Sequence, residues 1–514
     1  MANKGLFGAL AKRLPVADAV NRHAAPAYAY GPKAKLAQLA VTGTLSDTFY
    51  RSAADHLKDA LDAAQAVDPL FVAKAAIYAR KSGAMKDMPA LLAAYLTVAE
   101  PDLAVRVFAR VIDNGRMLRS FVQILRSGQV GRKSLGSRPK RLVKDWLEQA
   151  SMRDLMAAAT GSDPSLADIV RMVHPKPANA ERRAFYGWLI AKPYDVAALP
   201  AEIAAFEAWK RAPEGALPPV PFEWLTAFPL TAKQWADLAE RMGWQALRLN
   251  LNTLARKGAF GIEGVADRVA SRLADRGALA KVKVLPYQLM TTLDAAGEGV
   301  PLKVQAALEE ALEVSLARVP KLRGQVVVCP DVSGSMSSAV TGHRKGATSK
   351  VRCIDVAALV AAAVLRTNRQ ARVLPFEQKV APAKLDAHAR LAVNAAKLAA
   401  LGGGGTTVSA PLAQLNAERA EVDLVVIVSD NQSWVDATRS GVTQTMIEWD
   451  RIVRRNPAAK LVCIDIQPQG TTQASGRAEI LNVGGFSDAV FDTIARFAQG
   501  EARDWVEMVE ETEV

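Results

Sequence analysis

The sequence predicts a multidomain protein in which an all-α region of repeated helices precedes an α/β domain with a doubly wound parallel sheet. From residue 33 to about residue 319, helical patterns follow one another with short Gly/Pro breaks. From residue 324 onward, short β-branched runs alternate with helical patterns, which is typical of parallel strands joined by helices. The net charge of +13 is also uneven: residues 1–320 hold 43 Lys+Arg against 31 Asp+Glu, and the remaining residues hold 22 against 21.

These changes in pattern give four predicted segments. A flexible basic arm is expected at 1–30, the helical region at 31–320, the α/β domain at 321–500 and an acidic, solvated tail at 501–514.

Apolar residues recur at spacings of three and four through most of the first region. Proline is expected to open several helices, as at Pro69, Pro89 and Pro101, because the first helical turn does not need its missing N–H group. Helices in succession at this rhythm favour a solenoid of HEAT-like repeats, interrupted by an irregular connection at 212–234. The clearest predicted helices are 35–40, 52–66, 69–82, 89–98, 101–115 and 118–127.

The second region alternates strands with helices in a doubly wound order. Its strands are predicted at 325–330, 371–376, 423–429 and 460–466, and its helices at 354–366, 386–400, 442–454 and 487–498. Ligands of such sheets bind beyond the carboxyl ends of the strands.

Oxygen-bearing side chains follow these predicted strands at the points where ligands are expected. The pattern D-x-S-x-S comes directly after the strand at 325–330, a threonine follows the glycines at 402–405, and an aspartate ends the run at 423–429. Carboxylates and hydroxyls on separate loops suit a hard divalent cation, and the pattern resembles the metal-ion-dependent adhesion site of von Willebrand factor A (vWA) domains. The predicted ligands are Asp331, Ser333, Ser335, Thr406 and Asp430.

That resemblance implies a divalent ion, taken to be Mg²⁺, with one coordination position open to water or to a partner's carboxylate. It also implies that Asp331 acts through water while Ser333, Ser335 and Thr406 bind directly. Thr407 stands where many relatives have Asp or Asn, a difference expected to weaken the support of the ligands. The loop 341–350 is basic, and it either holds a phosphate beside the cation or is simply solvated.

Other interpretations of these motifs are excluded or weaker. A Ser/Gly turn is the alternative for D-x-S-x-S alone. Ser335 lacks the G-x-S-x-G frame of a hydrolase nucleophile, because Ser333 and Ser337 occupy the glycine positions. The glycines at 402–405 are followed by Thr-Thr rather than by G-K-[ST], so they do not form a phosphate loop.

Composition limits the environment of the protein. No apolar run is long enough to span a bilayer, and the first residues lack the apolar core and cleavage site of a signal peptide. The three cysteines are too few for a disulfide framework and are expected as buried thiols in a reducing cytoplasm.

The positive charge is concentrated enough to indicate a polyanion site, usually for nucleic acid. Residues 101–150 alone hold 11 Lys+Arg against 4 Asp+Glu, whereas diffuse solubilising charge would not be so local. Phosphate contacts are made by Lys and Arg with little demand on sequence. The first candidate cluster is Arg132, Lys133, Arg138, Lys140, Arg141 and Lys144, and the second is Arg171, His174, Lys176, Arg182 and Arg183.

A different role stays open for one of these residues and is expected for a third group. His174 precedes a proline and is equally expected to end its helix. A third group, Arg248, Asn250 and Asn252, alternates with leucines, so its asparagines are expected to bond the backbone rather than RNA.

The sequence resembles the bacterial relatives of the Ro 60 kDa autoantigen, the TROVE-module ribonucleoproteins, from about residue 25 to residue 500. The matching segments are TGTLSDTFY at 42–50, ARKSGAMKDMP at 79–89, GRKSLGSRPK at 131–140, HPKP at 174–177, WQALRLNLNT at 244–253, LPYQLM at 285–290 and CPDVSGSMS at 329–337.

The resemblance implies a monomeric ring of HEAT-like repeats closed by the vWA domain. It further implies binding of a small structured noncoding RNA (Y RNA) and of the single-stranded 3′ ends of misfolded RNA. The implied role is that of a non-enzymatic scaffold that works with an exoribonuclease such as polynucleotide phosphorylase. The alternative is a metal-dependent protein-interaction module whose basic helical region binds an acidic protein.

Overall fold

The structure is a computed structural model that describes residues 16–21, 25–47, 52–282, 284, 286–340, 351–430, 442–467, 471–472, 474–486, 489–501 and 504–514. Packing divides the chain into two compact units. We call the first the sheet unit, which comprises Met1–Ala53, Leu285–Thr291 and Ser315–Met508. The second, the helical unit, comprises Ala54–Val284, Thr292–Val314 and Val509–Val514.

The chain begins, within its described residues, with two short strands and a helix that belong to the sheet unit. These are β1 (Ala19–Val20), β2 (Pro26–Ala29) and α1 (Pro32–Thr42). Strand β2 pairs antiparallel with β1 on one side and with a later strand at Thr471–Thr472 on the other.

The next part of the chain is helical throughout its described length, as predicted. Asp68 caps the helix that begins at Pro69, and its carboxylate accepts the N–H of Phe71 at 2.8 Å. Its helices are α2 (Ala53–Gln65), α3 (Pro69–Lys81), α4 (Asp87–Ala99), α5 (Pro101–Val111), α6 (Gly115–Arg126), α7 (Ser137–Gln149), α8 (Met152–Ala158), α9 (Leu166–Val173), α10 (Ala180–Leu189), α11 (Ala201–Trp209), α12 (Phe222–Leu225), α13 (Ala232–Arg241), α14 (Trp244–Leu249), α15 (Leu251–Arg256), α16 (Val265–Ala274), α17 (Arg276–Val282), α18 (Pro286–Ala295) and α19 (Leu302–Ser315).

Several helix boundaries differ from the prediction. The predicted helices 35–40 and 386–400 are observed at Pro32–Thr42 and Leu391–Ala399. The predicted helix 101–115 ends at Val111, because Asn114 caps a new helix by accepting the N–H of Met117 at 3.0 Å. Pro89 does not open its helix, which already begins at Asp87.

From residue 326 the described chain alternates strands and helices. These elements are β3 (Val326–Pro330), α20 (Cys353–Thr367), β4 (Arg372–Val373), α21 (Leu391–Ala399), α22 (Ala410–Ala417), β5 (Leu424–Ser429), α23 (Gln444–Arg455), β6 (Lys460–Asp465), β7 (Thr471–Thr472), β8 (Ile480–Gly484), α24 (Ala489–Gln499) and α25 (Trp505–Glu510).

Five of these strands form one parallel sheet in the order β4-β3-β5-β6-β8. Every residue of β3 and β5 is buried, as expected for central strands covered on both faces by helices. The fully buried Trp449 of α23 and Phe376, which follows β4, belong to the same apolar core as β3 and β5. The predicted doubly wound α/β domain is therefore confirmed, with β8 as a strand that the sequence did not reveal.

The ends of the chain pack differently from the predicted segments. Helix α1, expected in the helical region, packs on β8: the Gln38 side chain donates to the carbonyl of Asn482, and the N–H of Gly484 donates to Gln38 Oε1 at 2.6 Å. The acidic tail, expected to be solvated, includes helix α25, and its Val509 is fully buried. Hydrogen bonds of Gln38 fix the first segment and burial of Val509 fixes the second, and neither contact has a signature in local sequence.

Candidate functional site

The predicted metal ligands lie where the winding of the sheet reverses. From β3 the chain crosses to β4 on one side, and it then returns past β3 to β5 on the other. The crevice at such a reversal is the usual binding position in an open α/β sheet. Asp331 and Asp430 directly follow β3 and β5, which pair in parallel with Pro330 opposite Val428.

The carboxylate of Asp331 is held by hydrogen bonds to two serines. Its Oδ1 accepts the backbone N–H of Ser333 at 2.8 Å, and its Oδ2 accepts the hydroxyl of Ser429 at 2.6 Å. The hydroxyls of Ser333 and Ser335 are 3.2 Å apart. The three members of D-x-S-x-S are therefore folded into one compact turn. Ser429, which the sequence analysis did not select, orients the carboxylate.

The glycine loop that precedes Thr406 contacts this turn. The N–H of Gly334 donates to the carbonyl of Gly404 at 3.1 Å, and the N–H of Gly403 donates to the carbonyl of Val332 at 3.0 Å. Gly404 has a φ of +76°, and a Cβ there would lie 1.5 Å from a carboxylate oxygen of Glu377, so only glycine fits. Thr406 itself is buried.

The electrostatics of the site favour a bound cation. Burial, and then the nearby charge of Asp430, raise the pKa of Asp331 to about 7. Both carboxylates are fully buried, so a divalent ion between them would offset their repulsion and favour their ionised forms. The donors are all oxygen atoms, which fits Mg²⁺.

The five predicted metal ligands supply two carboxylates and three hydroxyl groups. Among the described residues there is no group of three or more His, Cys, Asp and Glu side chains that could hold a metal. The Thr407 hydroxyl is buried and has no hydrogen-bond partner among the described residues, so it gives the ligands no visible support. The predicted basic loop at 341–350 lies outside the described residues.

Helix α7 presents most of the first basic cluster to solvent. Lys133, Lys140 and Arg141 are exposed, and Lys144 is half-buried one turn after Lys140. Arg138 is exposed and forms an ion pair with Asp102 at 3.0 Å.

Arg132 and Arg182 have structural contacts instead. The half-buried Arg132 guanidinium donates to the carbonyls of Leu135 and Thr97, both at 3.0 Å. Arg182 donates to the carbonyl of Ala150 at 2.8 Å and to that of Leu147, at the end of α7. Both side chains stabilise helix ends, a role that a run of basic residues cannot reveal.

The rest of the second cluster is exposed around the α9–α10 connection. His174 ends α9 with a φ of +51°, and its N–H donates to the carbonyl of Val170 at 3.0 Å, so it does end its helix as the alternative proposed. Its side chain is nevertheless exposed, as are Lys176 and Arg183. Arg171 is exposed and contacts Asp168 at 3.4 Å.

The third group bonds the backbone, as expected. Asn250 donates to the carbonyl of Ala246 at 2.8 Å, and Asn252 donates to that of Ala295 at 2.7 Å. Arg248 is largely buried, so this group is not an RNA surface.

These features define the class of protein. It combines a region of successive helices with a vWA-like domain, whose doubly wound sheet has an oxygen-lined site at its switch point. Residues 325–498 match the family model of the Ro60 vWA domain. The RNA-binding protein RO60 of Deinococcus radiodurans is 26% identical to this chain over 511 residues, which cover 92% of the chain and 94% of that protein.

A solved structure gives the same result for the fold. The crystal structure of the Deinococcus radiodurans RO (RSR) protein has a TM-score of 0.64 at 21% identity and covers 92% of this chain and 100% of that one. Residues 325–498 thus match a Ro60 vWA domain, and the predicted resemblance of the chain to the Ro 60 kDa autoantigen family is confirmed. In the part of the chain that the structure describes, no helix is long and apolar enough to cross a membrane.

Proposed function

We propose that this protein binds RNA through the basic surface of its helical unit and acts as a non-enzymatic scaffold. The observation that carries the proposal is the exposed basic face of α7, which lies in the most positively charged part of the chain. The similarity to a protein named RNA-binding protein RO60 supports it independently. Phosphate groups are the natural partners of such a face because Lys and Arg bind them with little sequence demand.

The proposal extends to the kind of RNA and to the partner. The RNA would be a small structured noncoding RNA of the Y type together with the single-stranded 3′ ends of misfolded RNA. An exoribonuclease such as polynucleotide phosphorylase would act on the RNA presented. The family resemblance supports these details, as it does a monomeric ring. The low cysteine content supports a cytoplasmic location.

The vWA domain is proposed to hold Mg²⁺ for docking rather than for catalysis. Asp331, Ser333, Ser335, Thr406 and Asp430 would hold the ion, which would supply a Lewis-acidic position for a partner's carboxylate. This site also favours a second candidate function, that of a metal-dependent protein-interaction module whose basic region binds an acidic protein.

Crosslinking in native cell extract tests the proposal directly. The protein is crosslinked to its bound RNA by ultraviolet light, and the attached RNA and the crosslinked peptides are sequenced. Recovery of one small structured RNA with scattered 3′ ends, and with crosslinks at 101–190, is the expected result. If the protein recovers no more RNA than an unrelated protein of equal net charge does, RNA binding is excluded and the interaction-module function stands.

A further inference from the structure

Three basic residues outside the predicted clusters contact the acidic tail of the same chain. Lys74 donates to the carbonyl of Glu510, and Arg110 donates to that of Glu513 at 2.6 Å. Arg106 donates to the backbone oxygen of Val514. All of these residues belong to the helical unit.

The tail is fixed in this position by its own burial. Val509, the first residue of the tail that belongs to the helical unit, is fully buried, and the residues that follow it contact α3 and α5. Glu510, Glu511 and Glu513 stay exposed, in the segment whose backbone contacts the three cations. Residues 501–514 contain six acidic residues and one basic residue, so a strongly acidic segment lies on a basic surface.

The three cations form one surface on two packed helices. Arg106 and Arg110 are one turn apart on α5, and Lys74 lies on the neighbouring α3. The tail binds Lys74 and Arg110 through peptide carbonyl oxygens, which carry no net charge. For these two side chains a phosphate oxygen is the stronger acceptor, because both partners of the hydrogen bond are then ionised.

The surface is close to the α7 face. Arg138 of α7 is paired with Asp102 of α5, so the two helices are neighbours. A cavity of about 260 Å³, lined in part by Val105, Pro139 and Leu142, lies between them. An RNA strand supplies a phosphate at every nucleotide for the two basic surfaces and bases for the cavity between them.

We propose that Lys74, Arg106 and Arg110 form a second RNA-backbone surface, and that residues 510–514 compete with RNA for it. This inference rests on the proposed RNA binding and adds a surface and its intramolecular competitor. The same N–H groups cannot bond the tail and a phosphate at once, so RNA must displace the tail. A tail seated about nine-tenths of the time would weaken the apparent affinity of this surface about tenfold.

Four variants test the competition. The tail variant carries V509N, which places a polar side chain at the fully buried position that seats the tail, together with E510Q, E511Q and E513Q. The helix variant carries K74A, R106A and R110A. A third variant combines both sets. The matched control carries E214Q, E223Q and E263Q, which change the net charge equally at exposed glutamates of the helical unit. Thermal unfolding checks that each variant is folded.

The measurement is the affinity of each full-length variant for a labelled single-stranded RNA of mixed sequence over a range of salt concentrations. The tail variant should bind up to about tenfold more tightly. Its salt slope should be steeper by about two, since each phosphate contact adds about 0.7 for single strands. The helix substitutions should abolish this gain in the combined variant, and the control should bind like the unaltered protein.

Three other results would overturn the inference. An equal gain in the control would mean that net charge alone acts, and an equal gain in the combined variant would mean that the tail does not act through these three cations. No gain in the tail variant, with RNA still bound by the unaltered protein, would refute the competition while leaving the proposed function intact. If the tail variant binds polyglutamate more tightly than the unaltered protein does, but does not bind RNA more tightly, the surface is assigned to an acidic protein. If the unaltered protein binds no RNA, the proposed function itself fails.

Discussion

Neighbouring basic residues of the same charge have different roles because their side chains have different partners. Arg132 bonds two backbone carbonyls and is half-buried, whereas Lys133 is exposed. The first contributes mainly to folding and the second is available to RNA. A charge count along the sequence assigns both to the same cluster.

Replacing each of these two residues separates the roles. Arg132→Ala should lower the free energy of unfolding by about 1–3 kcal/mol, because two partly buried carbonyls lose their partner. Lys133→Ala should change it by less than about 0.5 kcal/mol and should weaken RNA binding. Urea unfolding and RNA titration of both variants provide the measurement. Equal stability of the two variants would contradict the structural role of Arg132.

The raised pKa of Asp331 predicts how stability depends on pH when no metal is bound. The folded state keeps its proton up to a pH of about 7, whereas the ordinary value for aspartate is 3.8. Between these values the folded state binds more protons than the unfolded state. Stability should therefore fall as pH rises from about 4 to about 7, by at most about 1.4 kcal/mol per pH unit for this group.

This dependence is measured by thermal unfolding in EDTA, with Asp331→Asn as the comparison. The variant should lose this part of the pH dependence, since an amide does not titrate. Mg²⁺ at 100 times its dissociation constant should add about 2.7 kcal/mol to the stability of the unaltered protein and little to the variant. Parallel pH profiles for the two proteins would show that Asp331 is not the titrating group.

At the level of elements, the sequence predicts best what is determined locally. Strands β3, β5 and β6 were predicted within one residue because each is a continuous apolar run. Strand β8, Ile480–Gly484, was missed because it lies at an edge of the sheet and its apolar residues are interrupted by Asn482 and followed by a glycine. The packing of α1 on β8 joins residues more than 440 positions apart, and no local pattern specifies such a partner.

The same distinction applies to the candidate sites. The metal ligands could be predicted because they follow a strand or a glycine loop, and because parallel strands end at the same edge of the sheet. The basic residues were selected by local charge density and by the family resemblance, and neither shows the partner of a side chain. Their bonds to distant carbonyls, and the contact of the tail with α3 and α5, come from tertiary packing.

Helix α7 gives the element-scale prediction for RNA binding. Lys140→Ala, Arg141→Ala and Lys144→Ala together should weaken RNA binding for all sequences and reduce the salt slope by about two to three, because phosphate contacts are lost. The matched control replaces Lys233, Lys281 and Lys384, three exposed lysines on other elements, by alanine. An unchanged salt slope in the α7 variant would exclude this face as the RNA surface.

For the whole molecule, charge and metal chemistry are divided between the two units. The excess of positive charge lies in the first 320 residues, whereas the rest of the chain is nearly neutral. The five metal-site residues all belong to the sheet unit, and every residue of the α7 face belongs to the helical unit. A protein divided in this way can bind a polyanion and a cation-dependent partner through separate chemistries.

The division predicts that loss of the metal site leaves RNA binding intact. Asp331→Ala removes a carboxylate from a buried site, so it should abolish Mg²⁺ binding measured by calorimetry. RNA affinity should stay within about twofold of the unaltered protein at the same Mg²⁺ concentration, since no basic residue is changed and a twofold change is only about 0.4 kcal/mol. Mg²⁺ also screens phosphates, so the variants are compared with the unaltered protein at one Mg²⁺ concentration.

Asp331→Asn, which preserves the shape of the side chain, controls for misfolding. A large RNA defect in both folded variants would mean that the metal site and the RNA surface are coupled, and the separation of the two chemistries would have to be abandoned.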